Sequence, residues 1–118
     1  MTFNPNSILD SVKKVLLLDS EYDVFDFDIM MHINSTFATL TQLGVGPKKG
    51  YMIETRSNLW DEFLQNNLEI SSAKSYIFAK VRLLFDPPPN SFLVTSLEKI
   101  CSEYEYRLLA ASEGAHNE

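Results

Sequence analysis

Residues 24–44, VFDFDIMMHINSTFATLTQLG, decide the fold because they have the pattern of one long amphipathic helix. At 100° per residue, a single arc of this helix collects Phe25, Ile29, Ile33, Thr36, Phe37, Leu40 and Leu43. Gly44 follows directly and suits the left-handed conformation that ends a helix. Asp23, Asp26 and Asp28 lie near the start, where the helix dipole favours negative charge. We therefore predict a helix over Val24–Leu43.

Four more helices are predicted around this one, over 7–17, 58–65, 70–85 and from just after Asn90 to Ala111. Asn6 or Ser7 would cap the first helix, and Ser57 would cap the short one. The helix over 70–85 is apolar almost all round, as a central helix is, and Pro87–Pro89 end it. The apolar stripes predicted for the first and last helices are Ile8, Leu9, Val12, Val15 and Leu16, and Leu93, Leu97, Ile100, Cys101, Tyr104 and Leu108.

Between the second and third helices, residues 44–55 (GVGPKKGYMIET) contain three glycines and a proline, which exclude a helix. Tyr51, Met52 and Ile53 could form a brief strand. The predicted fold class is therefore all-α, a small bundle of about five helices with one irregular or short β-like loop near residues 44–56. Its length favours a single helical domain over residues 1–111, followed by a flexible C-terminal tail over residues 112–118.

Charge and composition exclude several classes of protein. The net charge of −6 argues against general nucleic-acid binding, which depends on neutralising phosphates. The start of the chain lacks the pattern of a secretory signal, and the longest apolar run, Val15–Leu18, is far shorter than a membrane span. A single cysteine excludes an internal disulfide framework and fits a reducing compartment. We expect a soluble protein with no membrane contact.

The sequence offers no pattern for catalysis, metal or cofactor binding. The alternating acids from Asp19 begin like a calcium loop, but Val24 and Met30 occupy positions that require Gly and Glu. Two distant histidines, His32 and His116, and one cysteine cannot form a common zinc site. Cys101 lies on an apolar stripe, and no phosphate-binding or nucleophile motif is present. We predict no catalytic residues, no cofactor and no enzyme activity.

The second helix is unusual because no Asp, Glu, Lys or Arg occurs from Ile29 to Pro47. Its outward positions are small or neutral, and interface cores are depleted in charge and enriched in Met. We interpret this face as a contact with another copy of the chain, through Met31, Ser35, Ala38 and Gln42. A neutral but solvated face is the alternative. The acids of residues 19–28 and the bases Lys74, Lys80 and Arg82 could also pair between copies, or could serve solubility alone.

The chain resembles the head–tail connector, or head-completion adaptor, proteins of long-tailed bacteriophages over about residues 4–108. Three stretches carry the resemblance: NSILDSVKKVLLLD, YDVFDFDIMMHINSTFATLTQLGVGP and AKSYIFAKVRLLFDPPPNSFLVTSLEKICSEYEYRL. The resemblance implies a structural virion protein that forms a ring, typically of twelve copies, below the portal. Such a ring joins the head to the tail or stopper and extends the DNA channel. The protein would be assembled in the host cytoplasm, and DNA would pass without sequence-specific binding.

Within this interpretation, two further segments are candidate contacts. A loop contacting a neighbouring copy or a downstream stopper or tail-completion protein would use Val45, Pro47, Lys48, Lys49, Tyr51 and Met52. A segment docking on the phage portal protein would use Tyr106, Arg107, Leu109 and Ser112. Scattered surface apolarity is the alternative for Tyr106 and Leu109.

Other functions remain open from sequence. The chain could be a small helical phage-encoded regulator or inhibitor of a host protein, for instance an acidic DNA mimic. A helix-turn-helix DNA reader is less favoured, because the second helix carries no Lys or Arg and the last helix mixes both signs of charge.

Overall fold

The computed structural model describes residues 3–65 and 72–116, and in these ranges the chain folds into five helices without a β-sheet. The helices are α1 (Ile8–Val15), α2 (Asp26–Gln42), α3 (Trp60–Leu64), α4 (Ser72–Phe85) and α5 (Ser91–His116). They form a flat molecule with principal extents of 45 × 35 × 19 Å. The predicted all-α bundle of about five helices is confirmed.

Helix α4 is the centre of the bundle, because it packs against α5, α2 and α1. Ala73, Tyr76, Ile77 and Val81 are its buried side chains. This explains why apolar residues surround the helix, as the sequence predicted for a central element. The helix ends at Phe85 as predicted, just before the proline run; its predicted first residue, Ile70, lies outside the described residues.

Polar side chains of α1 fix the segments that follow it. Lys13 is fully buried, where its Nζ lies 2.8 Å from Oδ1 of Asp26 and donates to the carbonyl of Ser20 at 3.0 Å. The buried Asp10 accepts a 2.8 Å hydrogen bond from Nη2 of Arg56. Breaking either pair would leave a buried charge without its partner, which is unfavourable. The two pairs therefore hold the first residue of α2 and the segment before α3 against α1.

A glycine-stabilised turn ends α2 and directs Val45 inward. Gly44 has φ +82°, Val45 N–H donates to the carbonyl of Leu40 at 2.9 Å, and Gly44 N–H donates to that of Thr41 at 3.0 Å. This pair of bonds is the Schellman motif. In this motif the residue after the glycine, here Val45, typically packs against the last turn of the helix. Gly46 has φ +92°, and a Cβ there would lie 2.6 Å from the Phe63 ring. Only glycine suits both this backbone conformation and the close approach of the ring.

The strand predicted for Tyr51–Ile53 is absent, and only an isolated bridge between Ser7 and Leu59 occurs in the described part of the chain. A side chain replaces the partner strand. The Asn34 amide accepts from Ile53 N–H at 2.7 Å and donates to its carbonyl at 3.0 Å. Ile53 is buried, so its backbone N–H and carbonyl cannot bond to water, and the two bonds to Asn34 take the place of that water. The loop is therefore fastened along α2.

Several helix boundaries differ from the predictions. Ser7 caps α1 as one of the two predicted caps, since its hydroxyl accepts from Asp10 N–H. Ser57 does not cap α3, which begins at Trp60; the Glu62 carboxylate instead accepts from Leu59 N–H at 2.8 Å. Asn90 precedes α5 as predicted and accepts from Phe92 N–H. Helix α5 continues to His116 and not only to Ala111, while the flexibility of the tail stays a prediction.

Four residues predicted for apolar faces are exposed. They are Val15, Leu93, Ile100 and Phe25, which was predicted for the arc of the second helix; the other residues of these three faces are buried or half-buried. Periodicity locates the face of a helix but not the length over which a neighbour covers it. None of the first ten residues of α5 is buried.

Candidate assembly surface

The outer face of α2 carries all four residues predicted for a subunit contact. Met31, Ser35, Ala38 and Gln42 are exposed, and their spacing of four, three and four residues places them in one row along the helix. Met31 exposes 56% of its surface. The row contains no charged side chain. The structure thus leaves the predicted residues together and accessible, on the side away from the core.

Phe27 extends this row at its start, and sequence reasoning missed it. Its side chain is 71% exposed, four residues before Met31 and on the same side of the helix. The signal was present: Phe27 lies opposite the core arc of α2, where an aromatic residue is unexpected. We call Phe27, Met31, Ser35, Ala38 and Gln42 the outer face of α2.

Acidic side chains surround the beginning of the outer face. Asp23 and Asp28 are exposed on either side of Phe27, whereas Asp26 is engaged by the buried Lys13. The exposed Val24 adds apolar surface beside them. The start of α2 therefore presents an aromatic side chain between two acids.

An open groove lies at the other end of the outer face, between α2 and the loop that follows it. Its volume is about 370 Å³, and its lining includes Asn34, Ala38, Thr41, Lys49, Gly50 and Met52. We call it the α2–loop groove. It brings together Ala38, predicted as a subunit contact, with Lys49, Tyr51 and Met52, predicted separately as loop contacts.

The predicted contact residues of the loop have different roles. Lys48, Lys49 and Met52 are exposed and Pro47 is half-buried. Val45 is only 2% exposed, which corrects its inclusion among the contact residues: the turn after α2 directs its side chain into the core. Tyr51 lines the α2–loop groove and also fixes the loop to the rest of the bundle.

Tyr51 holds the loop against the bundle. Its ring centroid lies 5.0 Å from that of Phe37 and 5.8 Å from that of Phe63. Its hydroxyl donates a 2.9 Å hydrogen bond to Oε1 of Glu62. Burial, followed by this bond to Glu62, raises the pKa of Tyr51 well above its ordinary value. The groove wall is consequently a fixed surface.

The residues predicted to dock on the portal lie along α5. Tyr106, 74% exposed, and the exposed Arg107 line a shallow groove of about 340 Å³ on one side of the helix. Leu109 is exposed, and the half-buried Ser112 donates a 3.0 Å hydrogen bond to the carbonyl of Gly44. Ser112 thereby joins the last turns of α5 to the end of α2.

The basic residues of α4 are partly engaged within the chain. Nζ of Lys74 lies 5.1 Å from the Trp60 ring centroid, and Nε of Arg82 donates to the carbonyl of Asp86 at 2.6 Å. Lys74, Lys80 and Arg82 are all half-buried. Lys48 and Lys49 are exposed, and Lys49 lines the α2–loop groove.

Within the described residues, no group of three His, Cys, Asp or Glu side chains could hold a metal ion. His32 packs at the edge of the core, with its ring 6.3 Å from that of Phe85. Cys101 is buried, and burial raises the pKa of its thiol. Over the same residues, none of the helices has the length and apolarity that crossing a bilayer requires.

A family model described as phage connector protein matches residues 8–115. The chain therefore belongs to the phage connector protein family, as its resemblance to head–tail connectors predicted. It is a structural protein of the bacteriophage virion that associates with head and tail components. Searches of curated proteins and of solved structures found no significant match.

Proposed function

We propose that this connector forms a ring, of about twelve copies as the resemblance implies, below the portal of a long-tailed phage. The ring joins the head to the tail or stopper and extends the DNA channel. The observation that carries the proposal is the outer face of α2, an exposed row without a charged residue that begins with Phe27 and Met31.

The outer face has the composition of a covered surface. A helix that packs on one core normally carries charges on its solvent side. Interface cores are depleted in charge and enriched in aromatic residues and Met. Contact with another copy would bury Phe27 and Met31, and thereby remove apolar surface from water.

The charge of the chain suits a DNA channel. With a net charge of −6, a ring that presents acids to its lumen repels the phosphate backbone. DNA then passes without adhering or being recognised by sequence. This role requires no cofactor and no catalytic step.

Two other surfaces are available for the neighbours of the ring. The groove beside Tyr106 and Arg107 on α5, together with Leu109 and Ser112, is our candidate for portal docking. The exposed residues of the loop after α2 supply contacts to a neighbouring copy or to a downstream stopper or tail-completion protein.

The subunit contact is tested by Ala38→Glu. A charged glutamate side chain in the middle of the outer face would have to lose its water at the contact and would fill the space that Ala38 leaves, so assembly should be lost. Ala38 is exposed in the single chain, so the monomer should remain helical and as stable as the parent. The measurement is mass by light scattering, alone and with the portal protein of the same phage, with circular dichroism as the check on folding.

Ser75→Glu is the matched control, because Ser75 is an exposed small residue on α4 away from the outer face. It adds the same charge and should assemble like the parent. The proposed subunit surface is wrong if Ala38→Glu assembles normally. Loss of helical signal in Ala38→Glu would also count against it, because Ala38 would then belong to the core.

A further inference from the structure

The outer face of α2 has an exposed aromatic side chain near one end and the α2–loop groove near the other. Phe27 is exposed in the first half, where Met31 and Asp28 border a separate open groove of about 680 Å³. The second half carries the small Ser35 and Ala38 and opens into the α2–loop groove. Phe27 and Ala38 are separated by about 16 Å along the helix at 1.5 Å per residue. An exposed aromatic side chain and a recess on one face therefore lie at different positions of the same molecule.

We propose that Phe27 of one copy inserts into the α2–loop groove of the next copy, so that the ring contact is heterologous. This inference rests on the proposed function and specifies the contact that builds the ring. Two different patches meet in such a contact, and repetition of the contact closes a ring when the rotation allows it.

Charge complementarity selects a second copy as the occupant of the groove. Asp23 and Asp28 are exposed and close to Phe27 in sequence, whereas Lys49 lines the groove and the exposed Lys48 directly precedes it in the chain. Inserting Phe27 brings the acids of one copy to the bases of the next. A symmetric contact between two Phe27 regions would instead place acids against acids, which is unfavourable.

The groove is large enough to receive an aromatic side chain. Its volume of about 370 Å³ lies in the range of binding pockets, and its lining includes the small residues Ala38 and Gly50. Gly50 has φ +87°, a backbone conformation that favours glycine, and it adds no side chain to the groove. The Asn34 amide fixes the adjacent loop backbone. Because the recess exists before contact, little ordering entropy opposes binding.

Cross-linking between cysteines tests the direction of the contact. Val24→Cys places a thiol beside Phe27, and Met52→Cys places one at the rim of the groove; both parent side chains are exposed. Assembled samples are treated with a short bis-maleimide, with portal present if assembly requires it. The parent chain is the control for Cys101, the buried native thiol.

The heterologous contact predicts cross-linked dimers when the two variants are mixed before assembly, and none when either is assembled alone. A chain with both cysteines should give a ladder of multimers. Dimers from Val24→Cys alone would show a symmetric contact and overturn the inference. Rings without any cross-link would overturn it too, but would leave the proposed function standing. Failure to assemble at all would reject both.

Charge exchange provides an independent test. Asp28→Lys and Lys49→Asp should each weaken assembly, by about 2- to 5-fold per contact, as expected for an exposed ion pair. The combined variant should recover toward the parent, because each contact again joins opposite charges. Lys14→Asp, an exposed site on α1 away from both proposed contact surfaces, is the control for net charge. Additive losses in the combined variant would contradict the pairing.

Discussion

Helices α2 and α5 are the two longest in the described chain, and their outer faces differ in chemistry. The outer face of α2 has no charged residue after Asp28. The exposed side of α5 alternates charges, with Glu98, Lys99, Glu103 and Arg107. Helix α5 also exposes apolar side chains, among them Phe92 and Tyr106, but charged residues lie between them, as expected of a helix in contact with water. The difference supports our proposal that another copy of the chain covers α2 in the assembled state.

The inner faces differ as well. Helix α2 buries Ile29, Ile33, Thr36, Phe37 and Leu40 within 17 residues. Helix α5 has 26 residues, yet among those whose side chains are described only Cys101 and Leu108 are buried. Helix length is therefore a poor guide to how firmly a helix is held. Helix α2 anchors the bundle, whereas α5 leaves much of its surface available to a larger partner.

The largest effect that tests this contrast is a cavity in the α2 core. Phe37→Ala removes a buried ring that packs 4.8 Å from Phe63 and 5.0 Å from Tyr51. The free energy of unfolding should fall by about 3–5 kcal/mol. Leu93→Ala, in the exposed half of α5, should change it by less than about 1 kcal/mol. Urea unfolding followed by circular dichroism measures both, and equal losses would break the contrast.

Loss of the Asn34 amide should have an intermediate effect. Asn34→Ala leaves the N–H and carbonyl of the buried Ile53 without their partner. We expect a decrease of about 1–3 kcal/mol in the free energy of unfolding. Gln42→Ala, on the outer face of the same helix, is the control and should have little effect on the monomer. Hydrogen exchange at the Ile53 amide should accelerate in Asn34→Ala alone; unchanged exchange would refute the role of Asn34.

The smallest effect concerns the attachment of α5. The Tyr76 hydroxyl donates to Oε2 of Glu105 at 2.7 Å, and Tyr76→Phe should lower the free energy of unfolding by about 1 kcal/mol. Burial, then the bond to Glu105, raises the pKa of Tyr76. Because the folded-state pKa is the higher one, this stabilisation is complete below the unfolded pKa, about 10, and is lost as pH rises through the folded value.

The alkaline loss of stability should therefore be smaller in Tyr76→Phe than in the parent. Tyr106→Phe is the control, since Tyr106 is exposed on the outer side of α5. Urea midpoints measured from pH 8 upward compare the three chains. An identical alkaline profile for Tyr76→Phe and the parent would show that the Tyr76–Glu105 bond does not hold α5.

The helices and the core of α2 were predictable because local periodicity specifies them. The turn at Gly44 was predictable for the same reason, but the requirement for a second glycine at Gly46 was not, because it comes from the ring of Phe63, which is distant in sequence. The Asn34 bonds to Ile53 join residues 19 apart, so no local pattern reveals them. The strand prediction failed there because a side chain took the place of a neighbouring strand.

The candidate surface was predicted in part. Absence of charge located Met31, Ser35, Ala38 and Gln42, because charge depletion is visible in the sequence itself. Phe27 was missed because Asp26 and Asp28 flank it, and acids in the first turn of a helix are typical of a start that faces solvent. The groove could not be foreseen, since it requires the loop after α2 to fold back along the helix.

The most direct test of the central claim is the solution mass of the unmodified chain, alone and after mixing with the portal protein of the same phage. Light scattering should detect a ring-sized species in at least one of the two samples, many times heavier than the 13.5 kDa chain. A chain that stays monomeric and ignores the portal would contradict the account.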